Sequence, residues 1–282
     1  MPPTVAEGAK LAVVYEEAKK FFEGPAWNPK EQKLYFTSFG GKTSLKVMRL
    51  EEPGKAIVWL DHTEGVNGTW LGQDGRLIGA QAYGHRVMSY DLGGDGPKDP
   101  KALYENVELH QPNDVCQTPN GDIYFSDPDF KGKTASAVYV LKPDGAVKKV
   151  LTDMAVTNGL IASLDGKTLY VGDSHKKHWR AYPILEDGTV GEGKLFFEPK
   201  TESKADPDGM SIDEKGNLYF TGMGGVWVVA PDGAALGFIP IPEFCSNVTF
   251  GGSDGKTLYC TCSGKVYSLA MNLRGGAFAT HK

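Results

Sequence analysis

Six side chains able to offer an oxygen to a cation or a proton recur along this chain at a steady interval: Glu23, Asn67, Asn113, Asn158, Asp208 and Asn247. Each stands ten or eleven residues ahead of a short apolar segment: Leu34-Tyr-Phe-Thr-Ser, Leu77-Ile-Gly-Ala-Gln, Ile123-Tyr-Phe-Ser-Asp, Leu169-Tyr-Val-Gly-Asp, Leu218-Tyr-Phe-Thr-Gly and Leu258-Tyr-Cys-Thr-Cys. A repeat that returns one polar oxygen to the same structural position in every copy gathers all of them at an axis when the copies close into a ring. Glu23, Asn158 and Asp208 would supply two negative charges and one neutral carbonyl oxygen, with Asn113 a further neutral oxygen. Hard donors of that charge suit a divalent cation such as Ca²⁺, with Mg²⁺ or Mn²⁺ as alternatives, better than a thiophilic metal. Asparagine also serves in turns and caps, and that role is the expectation for Asn67 and Asn247. Glu23, in Phe21-Phe-Glu-Gly-Pro-Ala-Trp27, has no evident turn role, and its burial would require a partner.

The elements that must position these residues follow from the alternation of apolar runs and turns. In the third copy, Asp114 to Pro119 reads as a strand, Asn120-Gly121 as a tight turn, Asp122 to Asp127 as a second strand, Ala137 to Lys142 as a third and Ala146 to Leu151 as a fourth. This is a four-stranded antiparallel meander. Third strands recur at Leu45 to Leu50, Arg86 to Asp91, Arg180 to Ile184, Gly225 to Ala230 and Lys265 to Ala270, and the anchors from Leu34 to Leu258 are spaced by 40 to 49 residues. That period is the size of a propeller blade, so the expected fold is all-β: one six-bladed β-propeller domain over residues 1–282.

The last copy has three clear strands and a Gly-rich tail from Arg274, too short and polar for a fourth, while Lys10 to Glu16 is a strand without a blade. The N-terminal strand is therefore expected to complete the sixth blade and leave no open edge. Tight turns such as Pro119-Asn-Gly and Leu164-Asp-Gly all fall on one face. The longer loops (38–43, 82–85, 127–136, 172–178 and 222–224) fall on the other with the polar set, which makes that face the functional one.

Composition narrows the partners. Thirty-six glycines and 17 prolines fit many short strands joined by turns, and a net charge of −5 argues against nucleic acid or an anionic membrane surface. No apolar run approaches the roughly 20 residues of a membrane span, and the first residues lack signal-peptide character. Four cysteines without zinc-ligand spacing read as buried free thiols, which favours a reducing compartment: the expectation is cytoplasmic, or periplasmic or secreted if a leader was removed. The recurrent Tyr35, Tyr124, Tyr170, Tyr219 and Tyr259, with Trp27 and Trp70, read as packing rather than a stacking platform for ligands.

At Glu23-Gly-Pro-Ala-Trp27, Pro112-Asn-Asp-Val115 with Tyr124-Phe-Ser-Asp-Pro128, Thr157-Asn-Gly-Leu160 with Leu169-Tyr-Val-Gly-Asp-Ser174, and Pro207-Asp-Gly-Met210, the chain resembles the senescence-marker-protein, gluconolactonase and luciferin-regenerating-enzyme-like propellers, a group that includes regucalcin and is similar in architecture to diisopropylfluorophosphatase. The resemblance covers nearly the whole chain. It implies one divalent cation in the central tunnel, calcium first and Mg²⁺, Mn²⁺ or Zn²⁺ as alternatives, held by Glu23, Asn158 and Asp208, with Asn113 binding it directly, through water or through substrate. It also implies hydrolysis of a lactone or related ester, with Asp208 as the general base; Asp127 or Asp173 are alternatives at the ends of second strands.

Many sugar-lactone hydrolases of this type carry an Arg two residues before the position of Asn113, where this chain has Gln111. Gluconolactone is accordingly a weaker expectation than some lactone or ester. Gln111, Asn113, Asp127 and His175 are the substrate-binding candidates, with Tyr83, His85, His110, Phe130, Lys176 and His178 as further rim residues. The expected partner is a small-molecule substrate, and the expected state a monomer or weak dimer. Organophosphate cleavage is a conceivable side activity, since the same geometry accepts a phosphoryl oxygen. The rival class is a non-enzymatic calcium-binding or protein-binding propeller, which has less need of two acids and several amides converging on an axis; a strictosidine-synthase-like propeller ranks lower still.

Overall fold

A computed structural model describes residues 1–41, 45–200, 206–222 and 224–277; parts of the loops expected at 38–43 and 222–224, and the tail beyond 277, lie outside the described residues. The described strands form six antiparallel sheets of four, the blades of a propeller. Blade one runs Phe21–Asn28, Lys33–Phe39, Leu45–Glu52 and Lys55–Leu60 from the axis outward. The next four blades repeat that order from inner strands Val66–Leu71, Val115–Gln117, Thr157–Ala162 and Met210–Ile212. Blade six consists of Cys245–Gly251, Thr257–Cys262, Lys265–Ala270 and, outermost, Ala12–Glu16, which pairs from Ala12 opposite Ser268 to Glu16 opposite Lys265. The two ends of the chain thus share one sheet, as the unassigned N-terminal strand implied. The expected bounds hold at Arg86–Asp91 and Lys265–Ala270, whereas the strand expected from Arg180 begins at His178, because His178 pairs with Asp173 across the ladder.

Burial falls from the axis outward, and sequence alternation follows it. Second strands lie between neighbouring blades and are covered on both faces: every residue of Leu77–Gln81, Ile123–Asp127 and Leu218–Gly222 is buried. Outer strands such as Lys98–Glu105 are charged and largely exposed, which suits an edge that must not recruit another chain. Tyr35, Tyr124 and Tyr219 are fully buried, Tyr170 nearly so and Tyr259 partly, in keeping with a packing role. Their hydroxyls are also used: Tyr124 donates to the Gly188 carbonyl at 2.7 Å and Tyr219 to Asp213 at 3.0 Å. Trp27 and Trp70 pack against the core clusters as expected, but from their edges. Both are half-buried and line an apolar cleft of about 560 Å³ where the inner strands end on the turn face. That face is less plain than its short turns suggest.

Two devices lock the blades to one another. Three residues after the Leu or Ile anchor of the second strand stands a buried hydroxyl in four blades, Thr37, Ser126, Thr221 and Thr261. Thr37 donates to the Asn67 carbonyl of the next blade at 3.0 Å, and Thr221 lies 2.9 Å from the Ser246 carbonyl of its neighbour. Ser246 closes the ring by donating to the Phe22 carbonyl of blade one at 2.6 Å. The second device is glycine directly after the polar residue. A Cβ on Gly24 would lie 2.1 Å from the Asn67 oxygen, on Gly159 2.1 Å from the Asp208 oxygen, and on Gly209 1.9 Å from Asn247 Cγ. Only hydrogen fits, and Gly24 also takes φ +47, a region that disfavours other residues. Gly209→Ala should therefore push Asn247 off its position and lower stability by about 1–3 kcal/mol, read as a shift of the denaturant midpoint in an otherwise folded protein.

Candidate active site

The polar repeat meets at the axis because the inner strands bulge there. Register shifts fall between Glu23 and Ala26, Val66 and Thr69, Thr157 and Leu160, and Cys245 and Asn247, so the strand turns its polar side chain toward the tunnel instead of pairing regularly. In blades three and five the polar residue precedes the inner strand and is held by its second strand, through Asn113 N–H to the Ser126 carbonyl at 2.9 Å and Asp208 N–H to the Thr221 carbonyl at 3.4 Å. Glu23, Asn67, Asn113, Asn158 and Asp208 all line one cleft of about 610 Å³. The cleft lies on the loop face.

Asn247, expected to be structural, ties the site together. Its Nδ2 donates to Glu23 Oε2 at 3.0 Å and reaches the carboxylate of Asp114 at 3.1 Å. Asp114 was not singled out in the sequence, although it follows Asn113 directly and occupies the place that glycine holds after Glu23, Asn67, Asn158 and Asp208. That break in the pattern was the available signal. Gly68 makes room for it, since a Cβ there would sit 2.1 Å from Asp114 Oδ1. Ser174 is the other partner that spacing alone did not reveal: its Oγ accepts from Asn158 Nδ2 at 3.0 Å and donates to the Pro207 carbonyl at 2.7 Å. This orients the Asn158 amide. Its Oδ1 is left buried with no hydrogen-bond partner, as is that of Asn67.

Three acids share this space. Burial and then the Asp114 charge push Glu23 up to about 8, despite donors from Gly24 and Asn247 that favour its ionised form. Burial pushes Asp114 up to about 7. Asp208, half-buried at the cleft wall, is raised well above the usual carboxylate range by desolvation and by the charges of Glu23 and Asp114. Acids that are mutually repelled and partly desolvated, beside buried amide oxygens lacking donors, form a floor whose charge a bound cation would balance. Among the described residues no group of three or more His, Cys, Asp or Glu side chains is placed to hold a metal ion by itself, so the amide oxygens are needed to complete a ligand set. The donor chemistry fits a hard divalent cation: oxygens only, carboxylate and amide, with the four cysteines free and buried.

The remaining candidates divide. His175 and Phe130 line the cleft, as does Lys177, whereas Gln111, Tyr83, His85, His110, Lys176 and His178 do not. Asp127 is fully buried and its two oxygens accept the backbone N–H groups of His110 and Gln111 at 3.0 and 2.8 Å. Asp173 does the same for Ala155 at 2.8 Å, and for His175 and Lys176 at 3.0 and 2.9 Å. Both carboxylates are spent on shaping the loops above the site, so neither contacts the cleft as a base or a substrate group. An aspartate ending a strand before a loop is read this way when its oxygens find main-chain donors.

The electrostatics set a pH dependence. Ordinary carboxylates ionise near pH 4 in the unfolded chain. Glu23, Asp114 and Asp208 keep their protons to higher pH when folded, so the unfolded state binds fewer protons and stability falls as pH rises. In chelator, the thermal midpoint should drop between about pH 5 and the value of about 8 reached by Glu23, and an added divalent cation should raise it more at pH 8 than at pH 5. A midpoint indifferent to pH over that window would show that the acids do not share one desolvated space.

The family described as SMP-30/Gluconolactonase/LRE-like region matches residues 21–264. A gluconolactonase of Zymomonas mobilis is 30% identical over 222 residues, covering 72% of this chain and 62% of that protein, so the match spans just under two thirds of that relative. Among solved structures, a gluconolactonase of Xanthomonas campestris superposes with a TM-score of 0.81 at 26% identity, covering 96% of this chain and 95% of that one. A calcium-binding regucalcin from Agrobacterium tumefaciens shares the fold, with a TM-score of 0.74 at 20% identity over 94% of this chain and 97% of that one. With its blade order, its closure and a match running from the first inner strand into the last blade, the chain belongs to the SMP-30/gluconolactonase/LRE-like family.

Proposed function

We propose that this propeller is a divalent-metal-dependent hydrolase of lactones. The observation that carries this reading is the arrangement of Glu23, Asp208 and the unpartnered Asn158 Oδ1 around one cleft, with both acids raised by burial and by the charges of their acidic neighbours. Its similarity to gluconolactonases supports it further. Glu23, Asn158 and Asp208 would hold the cation, with Asn113 beside it, and the cation would supply Lewis-acid polarisation of the ester carbonyl. Ca²⁺ is the first choice among hard divalent ions for a site of mixed carboxylate and amide oxygens.

The protein's own groups account for the rest. Asn113, on the cleft wall, offers its amide to the substrate oxygens. Asp208, raised in basicity by desolvation and then by its acidic neighbours, takes a proton from the water whose oxygen adds to the lactone carbonyl carbon. The bond to the ring oxygen then breaks, and the proton returns from Asp208 to the departing alkoxide, leaving a hydroxy acid. Asn247 and Asp114 stand behind Glu23 and fix its orientation.

A panel of lactones and aryl esters, assayed in chelator and with Ca²⁺, Mg²⁺, Mn²⁺ or Zn²⁺ restored, should show cation-dependent turnover of at least one lactone. Asp208→Asn should lower kcat by about 10²–10⁴-fold. Glu23→Gln should weaken the response to cation in both rate and thermal midpoint. Full activity in Asp208→Asn would remove that residue from proton transfer, and a rate unaffected by chelation would remove the metal.

A further inference from the structure

The cleft combines a polar floor with walls of a different chemistry. Phe21, Phe244, Phe130 and Val156 line it above Glu23, Asn158 and Asp208. Phe21 of the first blade and Phe244, just before the last inner strand, stack with ring centroids 6.0 Å apart and planes at 27°. Phe130 is 52% exposed, yet it is not on a loose segment. Asp129 beside it accepts the N–H groups of Lys131, Lys133 and Thr134 at 2.9, 2.9 and 2.8 Å, and receives the Thr134 hydroxyl at 3.0 Å. A phenyl ring held out toward solvent by a pinned loop, lining the same cleft as a second pair of rings and an acidic floor, is preorganised to cover apolar surface on a ligand.

Among the described residues, three polar groups that the sequence offered for the rim are engaged elsewhere or lie off the lining, while Asn67, Asn113 and Ser174 belong to the polar floor. The His110 ring bonds to the Thr134 hydroxyl at 2.9 Å, Asp127 is spent on backbone N–H groups, and Gln111 does not line the cleft. Among the described residues the polar rim above that floor is His175, Lys131, Lys177 and Asp206, the last two 3.6 Å apart. A sugar lactone placed here would turn several hydroxyls from water toward phenyl faces without replacing their hydrogen bonds. A lactone bearing an aryl or alkyl group would instead bury that group against Phe130 and the Phe21–Phe244 pair.

We infer that the preferred substrates are lactones with an apolar ring or chain substituent rather than polyhydroxylated sugar lactones; this rests on the lactone-hydrolase reading above. Two kinds of measurement test it: kcat and KM for γ-phenyl-γ-butyrolactone, γ-nonalactone and glucono-δ-lactone, and calorimetric binding of γ-phenyl-γ-butyrolactam, which binds without the ester chemistry. Wild type should favour the two apolar lactones in kcat/KM. Phe130→Ala and Phe244→Ala should each raise KM for them by about tenfold with little change in kcat, weaken lactam binding similarly, and leave glucono-δ-lactone unaffected. Preference for glucono-δ-lactone in the wild type, or equal losses for both classes in the phenylalanine variants, would overturn the apolar cleft while leaving hydrolysis intact. Absence of turnover on every lactone, with lactam binding that still depends on Phe130, would overturn hydrolysis and uphold the apolar cleft.

Discussion

Six inner strands share one axis, and they approach so closely that hydrogen is the only side chain tolerated at several contacts. A Cβ at Gly24, Gly68, Gly159 or Gly209 would lie within 1.9 to 2.1 Å of an atom in the neighbouring blade. The backbone of each inner strand is therefore in contact with the next, and buried threonine and serine hydroxyls stitch their carbonyls together. Everything chemical about the molecule depends on this approach. Side chains one residue before the glycines have nowhere to go but the tunnel, and they arrive there within reach of one another.

Close approach brings a conflict. Glu23, Asp114 and Asp208 are held near each other with little water, and amides rather than cations answer them. Such a group is costly in a fold unless its charge is balanced by protons or by a bound cation. The architecture tolerates the conflict because closure of the ring, strand Ala12–Glu16 included, distributes stability over six sheets that do not depend on the axis for their cores. Stability is built between the blades, and the buried acids are confined to the line where they meet.

The loop face is ordered by a separate means. Asp127, Asp129 and Asp173 each collect several main-chain N–H groups and so fix loops that would otherwise be free to move. The local sequence showed aspartates at strand ends, but whether such a carboxylate faces a substrate or main-chain donors depends on where the segment entering its blade, 16 to 18 residues earlier for Asp127 and Asp173, is folded. Neighbouring His110 and Gln111 illustrate the same point: their backbone is bound by Asp127, and neither side chain reaches the cleft lining.

Much of the fold was legible in the chain because each blade is local: alternation, turn glycines and a 40–49 residue period are properties of contiguous sequence. Period also placed one polar residue at the axis end of every blade, so Glu23, Asn113, Asn158 and Asp208 could be named without coordinates. What the period could not express was contact across the ring. The bridge from Asn247 to both Glu23 and Asp114, the bond from Ser174, partner of Asn158, to the Pro207 carbonyl of the next blade, and the stacking of Phe21 on Phe244 join residues from different blades. Sequence by itself determined the repeat, its closure and the donors offered to the axis; the tertiary structure decided which of them meet, since residues in different blades become neighbours only when the ring closes.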